Sequence, residues 1–332
     1  MNKKNIEISI IIPCYNSYDK MSKCLETLEN QNFKNFEVII IDDCSTDNSY
    51  EKLTKYKMNT SLNIKLMKNE KNIGAGGTRN IGLSICIGKY VMFIDADDYI
   101  EEDCLEILNN ILQNNSKIDC ICFDYYRTSE EYKIIDKNAM INTKIKNDII
   151  TTSEVLKNVK GCTCGKLYLL DIINNNNIKF ADLIRNEDMP FTKIAVSYCK
   201  NIYYYNEKPL YYYVMNNKSL MHQKELLDEN NAIMALKKIE AEINPKFKTE
   251  LELIFITECL YSVICTTITK KYSKIKIKKI LKPYIQNYKN WFKNDSIKEI
   301  PIYIRIILLF FKLNLYLPIR IIIFIKNEIR KQ

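Results

Sequence analysis

Three carboxylates stand within four positions at Asp95, Asp97 and Asp98, directly after the apolar run Val91-Met92-Phe93-Ile94. Ionised carboxylates a few ångströms apart repel, so such a group is stable only if a cation neutralises it or a proton is retained. Two arrangements meet that need. One is a divalent-metal site at the end of a buried strand; the other is a helix whose first turn carries acids that complement its macrodipole. Asp43 bears on the choice, because it too follows an apolar run, Phe36 to Ile41, and is trailed by Cys44-Ser45-Thr46-Asp47. So does the stretch Asn72-Ile73-Gly74-Ala75-Gly76-Gly77-Thr78-Arg79-Asn80, since four of the chain's seven glycines fall between Gly74 and Gly82. Backbone there must approach something closely or turn sharply. It is not a dinucleotide fingerprint, because Arg79 stands where G-x-G-x-x-G requires its last glycine.

The elements that must hold these residues follow from hydrophobic patterning. Ile6 to Pro13 is dense in β-branched residues and closed by proline, which suits a buried parallel strand. A helix is predicted from about Ser17 to Gln31, with Met21, Leu25 and Leu28 on one face. Strands are predicted at Phe36 to Ile41, Asn63 to Lys68 and Tyr90 to Asp95, with helices between them. Strands alternating with helices imply right-handed crossovers and a parallel sheet that binds ligands outside the carboxyl ends of its strands. Asp43, the glycine turn with Arg79, and Asp95 to Asp98 then share one edge. A nucleotide diphosphate with a metal suits that edge, because carboxylate oxygens hold a hard cation that bridges phosphates and neutralises a leaving group. Asp43 is placed to accept a hydrogen bond from a base imide.

The chain has 332 residues, enough for a large domain with an elaboration or for two domains. Its net charge of +9 is uneven: residues 270 to 332 hold 16 Lys and Arg against Asp295, Glu299 and Glu328. The basic character therefore belongs to the tail, where it would meet nucleic acid or an anionic membrane. Met1 to Asn5 leads at once into a strand-like run, with no apolar segment of signal-peptide length, so a cytoplasmic start is expected. The 12 cysteines are accordingly expected to be reduced thiols. Cys120-Ile121-Cys122 and Cys162-Thr163-Cys164 are better read as buried thiols than as metal ligands, since the chain has one histidine, His222, and no CxxC pair.

Taken in order, Ile8 to Asn16 (SIIIPCYN at its core), Glu37 to Ser49 (EVIIIDDCSTDNS), Gly74 to Gly82 (GAGGTRNIG) and Phe93 to Asp98 (FIDADD) resemble the N-terminal signature of family 2 glycosyltransferases with the GT-A fold. The likeness continues through Cys164 to Tyr168, Arg185 to Phe191, Pro209 to Tyr213 and Lys218-Ser219-Leu220, as in members that build bacterial surface polysaccharides. It covers roughly residues 6 to 222. The resemblance implies an α/β, mostly parallel sheet flanked by helices over residues 1–222, with a donor half to about residue 100 and an acceptor half from about 101. It also implies an inverting transfer, dependent on Mg²⁺ or Mn²⁺, from a nucleotide-diphosphate sugar to a hydroxyl of a lipid-linked or growing polysaccharide acceptor. A UDP-sugar is the foremost donor.

Carried over residue by residue, Asp43 contacts the base, and Pro13, Tyr15 and Asn16 line its pocket. Asp95 and Asp97 match the DxD motif that meets ribose, diphosphate and metal, with Asp98 a rival metal ligand; the choice between Asp97 and Asp98 stays open. Arg79 lies near the donor nucleotide or its sugar. Asp188, with Glu187 as the alternative, is the base that takes the acceptor proton during in-line attack. Lys166, Lys218 and Ser219 approach the diphosphate or the acceptor. Where the family often has arginine and glycine, this chain reads Asn216-Asn217-Lys218-Ser219-Leu220-Met221.

From about Lys224 strand signals give way to helices, expected at Asn230 to Ile243, Phe247 to Thr269 and Ile275 to Phe292, with Pro245 and Pro283 breaking or bounding them. Residues 223–332 are thus a helical region with a basic amphipathic tail. Ile300 to Ile325 is strongly apolar, but Arg305, Lys312, Pro318 and Arg320 interrupt it, and the longest unbroken run, Ile306 to Phe311, is too short to span a bilayer. Helices lying in an anionic interface fit this pattern, which puts the protein on the cytoplasmic face of the membrane; a helical cap on the catalytic domain is the alternative. Two other classes compete. A nucleotidyltransferase would carry a Gly-rich basic loop after the first strand, where this chain has Pro13-Cys14-Tyr15-Asn16. A nucleic-acid binder would interleave stacking aromatics among the tail lysines, and only Tyr272, Tyr284, Tyr288 and Trp291 are there, so no nucleic-acid partner is expected.

Overall fold

The computed structural model describes residues 6–115, 117–216 and 228–329. The chain separates into two compact units, Met1–His222 and Gln223–Gln332.

In the first unit, β1 (Ile8–Cys14), β2 (Phe36–Asp42), β3 (Ile64–Lys68) and β4 (Tyr90–Phe93) pair in parallel in the order β3-β2-β1-β4. Both faces of β1 and β2 are covered, so Ile8, Ile10, Ile11 and Ile12 are all buried, as their uninterrupted apolar pattern requires. Beyond β4 the sheet becomes mixed. Lys166–Leu169 runs antiparallel to both β4 and Cys120–Phe123, and Ile202–Tyr205 and Asp148–Ile150 complete eight strands. A second sheet of four strands, Tyr99–Ile100, Tyr211–Val214, Tyr125–Thr128 and Ile134–Asn138, stands beside it.

Local details differ from the pattern reading for physical reasons. The helix expected from Ser17 begins only at Ser22, after a 3-10 turn at Tyr18–Lys20. β4 ends at Phe93, two residues earlier than expected, which leaves Asp95 beyond the strand and free to turn toward a neighbouring helix. That helix, Gly74–Ile85, lies tight on β1. A Cβ at Gly82 would fall 2.5 Å from Ile11 Cγ2 and one at Gly76 would fall 3.0 Å from Glu187 Cγ, so both close approaches depend on glycine.

The second unit is helical: Glu229–Glu242, a continuous Glu250–Thr269 that loosens to a π-helix over Phe255–Leu260, Lys274–Asn287, Ile302–Lys312 and Tyr316–Ile329. Pro283, expected to break or bound a helix, sits inside Lys274–Asn287, which continues past it to Asn287. Leu236, Phe255, Leu260, Ile264, Ile307 and Leu308 meet in the core of this unit. Glu250–Thr269 is the one described helix long and apolar enough to cross a membrane, yet most of its length is buried in that core.

Candidate active site

The carboxyl ends of β1, β2 and β4 and the start of helix Gly74–Ile85 bring the motif residues together. Asn16, in the left-handed region at φ +49°, links the loops after β1 and β2. Its side-chain carbonyl accepts from the Thr46 and Asp47 amides at 2.8 and 3.2 Å, and its own amide N–H donates to Ser45 Oγ at 2.9 Å. Pro13, at the end of β1, is half-buried beneath this loop, and Tyr15 presents its ring to solvent. Asp43 is buried. Its Oδ1 accepts from Asn69 Nδ2 and the Ile73 amide, and its Oδ2 accepts from the Gly74 amide at 2.8 Å. It thus caps the turn that launches the Arg79 helix, a task the sequence did not announce.

Arg79 gathers three acids. Its guanidinium is buried and donates from Nη2 to Asp95 Oδ1 at 2.6 Å, and from Nη1 to Glu187 Oε1 and Asp188 Oδ1, both at 3.0 Å. It also lies 5.4 Å over the Phe180 ring, whose face attracts the cation. Burial opposes the charge on Arg79, but Asp188, Asp95 and Glu187 outweigh it and raise its pKa. Arg79 therefore stays charged and lets carboxylates more than 90 residues apart in the chain share one pocket. Arg79, expected near the donor nucleotide or its sugar, is the centre of the cluster.

The acids differ in environment. Asp188, at the start of helix Asp188–Tyr198, is pushed up to about 7 by burial, with Arg79 pulling down and Glu187 and Asp95 pushing up. Asp98 is buried, and both of its oxygens are engaged: Tyr211 donates to Oδ2 at 2.6 Å and the Val214 amide to Oδ1 at 2.8 Å. The Tyr211 hydroxyl also accepts from the Asp95 amide at 3.3 Å, so one tyrosine ties the whole turn to the small sheet. Burial, then Asp95 and Asp97, raise the Asp98 carboxyl well above its usual range. Asp97 is half-buried and raised by burial and by Asp95; among the described residues no other side chain donates to it. Its carboxylate is open to a ligand, as is Oδ2 of the part-exposed Asp95, whereas both oxygens of Asp98 are engaged. No three His, Cys, Asp or Glu side chains among the described residues converge to hold an ion by themselves.

Lys166 departs from its expected place beside the diphosphate or acceptor. It is fully buried, with Nζ donating to the Cys162 carbonyl at 2.6 Å and the Cys164 carbonyl at 3.4 Å, so it braces the loop between Gly161 and Gly165. A hydrogen bond with Cys164 lowers the Cys162 thiol to about 6; burial opposes this, and Lys166 and Lys160 assist it. CxC spacing alone gave no sign of that. Lys218, Ser219 and His222 lie outside the described residues.

The family model described as "Glycosyl transferase family 2" matches residues 9–175, half of the chain. Among curated relatives, an uncharacterized glycosyltransferase, YibD, of Escherichia coli is 30% identical over 231 residues, 66% of this chain and 64% of its own. A poly(ribitol-phosphate) beta-glucosyltransferase of Bacillus spizizenii is 30% identical over 260 residues, 73% of this chain and 39% of its own. This chain thus spans less than two thirds of each of these relatives. Among solved structures, residues 1–349 of Staphylococcus aureus TarS in complex with UDP-GlcNAc superpose with a TM-score of 0.66 at 22% identity, over 97% of this chain and 92% of that one. The shared fold is GT-A.

Proposed function

This chain belongs to glycosyl transferase family 2, and from that premise we propose that it is a glycosyltransferase that moves a sugar, with inversion, from a UDP-sugar to a hydroxyl of a lipid-linked or growing surface-polysaccharide acceptor at the cytoplasmic face of the membrane. The observation that carries the reading is the Arg79 cluster, which joins Asp95 of the DxD segment to Glu187 and Asp188. Residues 1–222 form the catalytic domain, its donor half ending near residue 100. In the donor half the exposed Tyr15 ring, Pro13 and Asn16 receive the nucleobase, and Asp43 meets the base while holding the turn before Arg79. Asp95 faces the ribose and diphosphate.

Asp97 would hold Mg²⁺ or Mn²⁺, and Asp98 fixes the turn through Tyr211 and Val214. When bound, such a cation supplies charge neutralisation for the departing diphosphate. The acceptor oxygen attacks the anomeric carbon on the face opposite the diphosphate. The bond from that carbon to the diphosphate oxygen breaks, its electron pair leaves with the nucleotide, and the acceptor proton passes to Asp188. A base whose pKa lies near neutrality accepts that proton efficiently and is regenerated at the same pH. Arg79 positions Asp188 and compensates its charge while the proton is absent.

UDP in the TarS complex and a phosphate polymer as acceptor in the Bacillus relative's name favour a UDP-sugar and an envelope polymer. The alternative, synthesis of a nucleotide sugar, is disfavoured because β1 closes in Pro13-Cys14 and the Tyr15-Asn16-Ser17 loop that follows holds no glycine and no basic side chain. A donor screen following nucleotide-diphosphate release with Mg²⁺ or Mn²⁺ and a lipid extract tests the reading. Release with one donor, lost in Asp97→Asn, supports it; no release with any donor rejects it.

A further inference from the structure

The last two helices are apolar on two sides. On Ile302–Lys312, Ile304, Ile307, Leu308 and Phe311 enter the core of the second unit, while Ile302, Ile306, Leu309 and Leu313, spaced by four, three and four residues, face solvent. On Tyr316–Ile329, Ile319 and Ile323 turn inward, and Leu317, Ile321, Phe324 and Ile325 turn outward. The outer stripes are openly displayed: Ile302 and Phe324 are 65% exposed and Leu317 is 70% exposed. An inner stripe alone suffices for packing, so the outer one is surplus to folding, and an apolar patch of this extent marks an interaction surface.

The charges around it indicate what covers it. No acid occurs between Ile300 and Ile325, where Arg305, Lys312 and Arg320 are interspersed. Lys274, at the start of the preceding basic helix Lys274–Asn287, donates to the Asn314 carbonyl at 3.1 Å, and Arg320 donates to the Tyr272 carbonyl at 3.4 Å, so that helix start abuts the pair. There Ile275 is 81% exposed, and Lys278, Lys279 and Lys282, three, four and seven residues on, share its face. A second copy of this face would bring like charges together. An anionic bilayer satisfies both features, since apolar side chains enter the acyl boundary and the amines meet headgroups.

We propose that the outer stripes of Ile302–Lys312 and Tyr316–Ile329, with Ile275 and its lysines, form one docking face for an anionic phospholipid surface, on which both helices lie flat. The apolar helix Glu250–Thr269 remains in the protein core and does not anchor the chain. The lipid-linked reading of function supplies the purpose of this attachment; the observations behind the face are independent of it.

The test is flotation of the full chain with vesicles of phosphatidylcholine alone or with phosphatidylglycerol added. The wild type floats with the anionic vesicles, and less so without the anionic lipid or at high salt. Leu317→Glu with Phe324→Glu lowers the bound fraction about tenfold, and Lys278→Glu with Lys282→Glu removes the preference for anionic lipid. Both variants keep the wild-type circular dichroism, because the changed side chains are exposed. Equal flotation of wild type and the Leu317/Phe324 variant overturns the proposal. So does a wild-type dimer that this variant dissociates without losing flotation. Nucleotide-diphosphate release measured in the same samples separates the two readings, since flotation without release leaves the docking face standing while the transfer reading falls.

Discussion

The sheet edge around Arg79 and the outer face of the C-terminal helices handle charge in opposite ways. At the sheet edge, three acids drawn from two parts of the chain pair with one buried guanidinium, and Asp95 Oδ2 and Asp97 are left open to a ligand. On the helices, cations stand among exposed apolar side chains with no acid between Ile300 and Ile325 to balance them. Internal pairing makes the first region a preorganised pocket whose parts depend on one another. Missing balance makes the second a surface that is completed by something outside the chain.

The contrast breaks first at Arg79. Arg79→Ala removes the buried guanidinium and leaves three part-buried carboxylates facing one another; loss of one partner from a fully buried pair costs about 3–5 kcal/mol, and the loss here should approach the lower end of that range. Urea unfolding should register that loss, and Arg79→Lys should recover only part of it, because an ammonium cannot span Asp95, Glu187 and Asp188 with a planar fork. A stability within about 0.5 kcal/mol of wild type would mean the cluster is not a unit.

A paired truncation sharpens the other side. Leu308→Ala, in the core of the helical unit, should cost about 2–5 kcal/mol. Leu317→Ala, on the outer stripe, should change unfolding by no more than about 0.5 kcal/mol. Equal costs would mean that the outer stripe is packed and not free to dock.

The pH dependence is the next measure. Because burial raises Asp188 to about 7, the carboxyl keeps its proton below that pH and cannot accept one from the acceptor. The ratio kcat/KM should therefore fall by about tenfold per unit as pH drops below 7 and level off above it. A flat profile between pH 5 and pH 8 would remove Asp188 from the role of base.

How much of this was legible in the sequence depended on the range of the interactions. Of the four parallel strands, β1, β2 and β4 announced themselves because each is buried on both faces and leads into polar residues, so pattern and position coincide in Ile8 to Asn16 and Phe36 to Asp43. The acid cluster was legible as a set of types, yet its centre was not, because nothing local distinguishes Arg79 from a solvated helical arginine. Asp97 and Asp98 looked interchangeable; their environments diverge through Tyr211 and Val214, more than 110 residues away. The small sheet escaped for the same reason, since its strands at Tyr99–Ile100 and Tyr211–Val214 are short and pair across half the unit. Lys166 shows the reverse error: a lysine in a motif reads as a ligand contact, and only its burial against the Cys162 carbonyl identifies it as a brace. In the tail, composition revealed the basic apolar helices but not that each has two apolar sides.

The central claim is that Asp95, Glu187, Asp188 and Arg79 form one site in which Asp188 takes the acceptor proton. Asp188→Asn measures it most directly, with calorimetric binding of the donor and turnover followed on the same preparation. The account predicts nucleotide affinity close to wild type and a loss of transfer of about 10²–10⁴-fold; unchanged turnover, or loss of donor binding along with turnover, would contradict it.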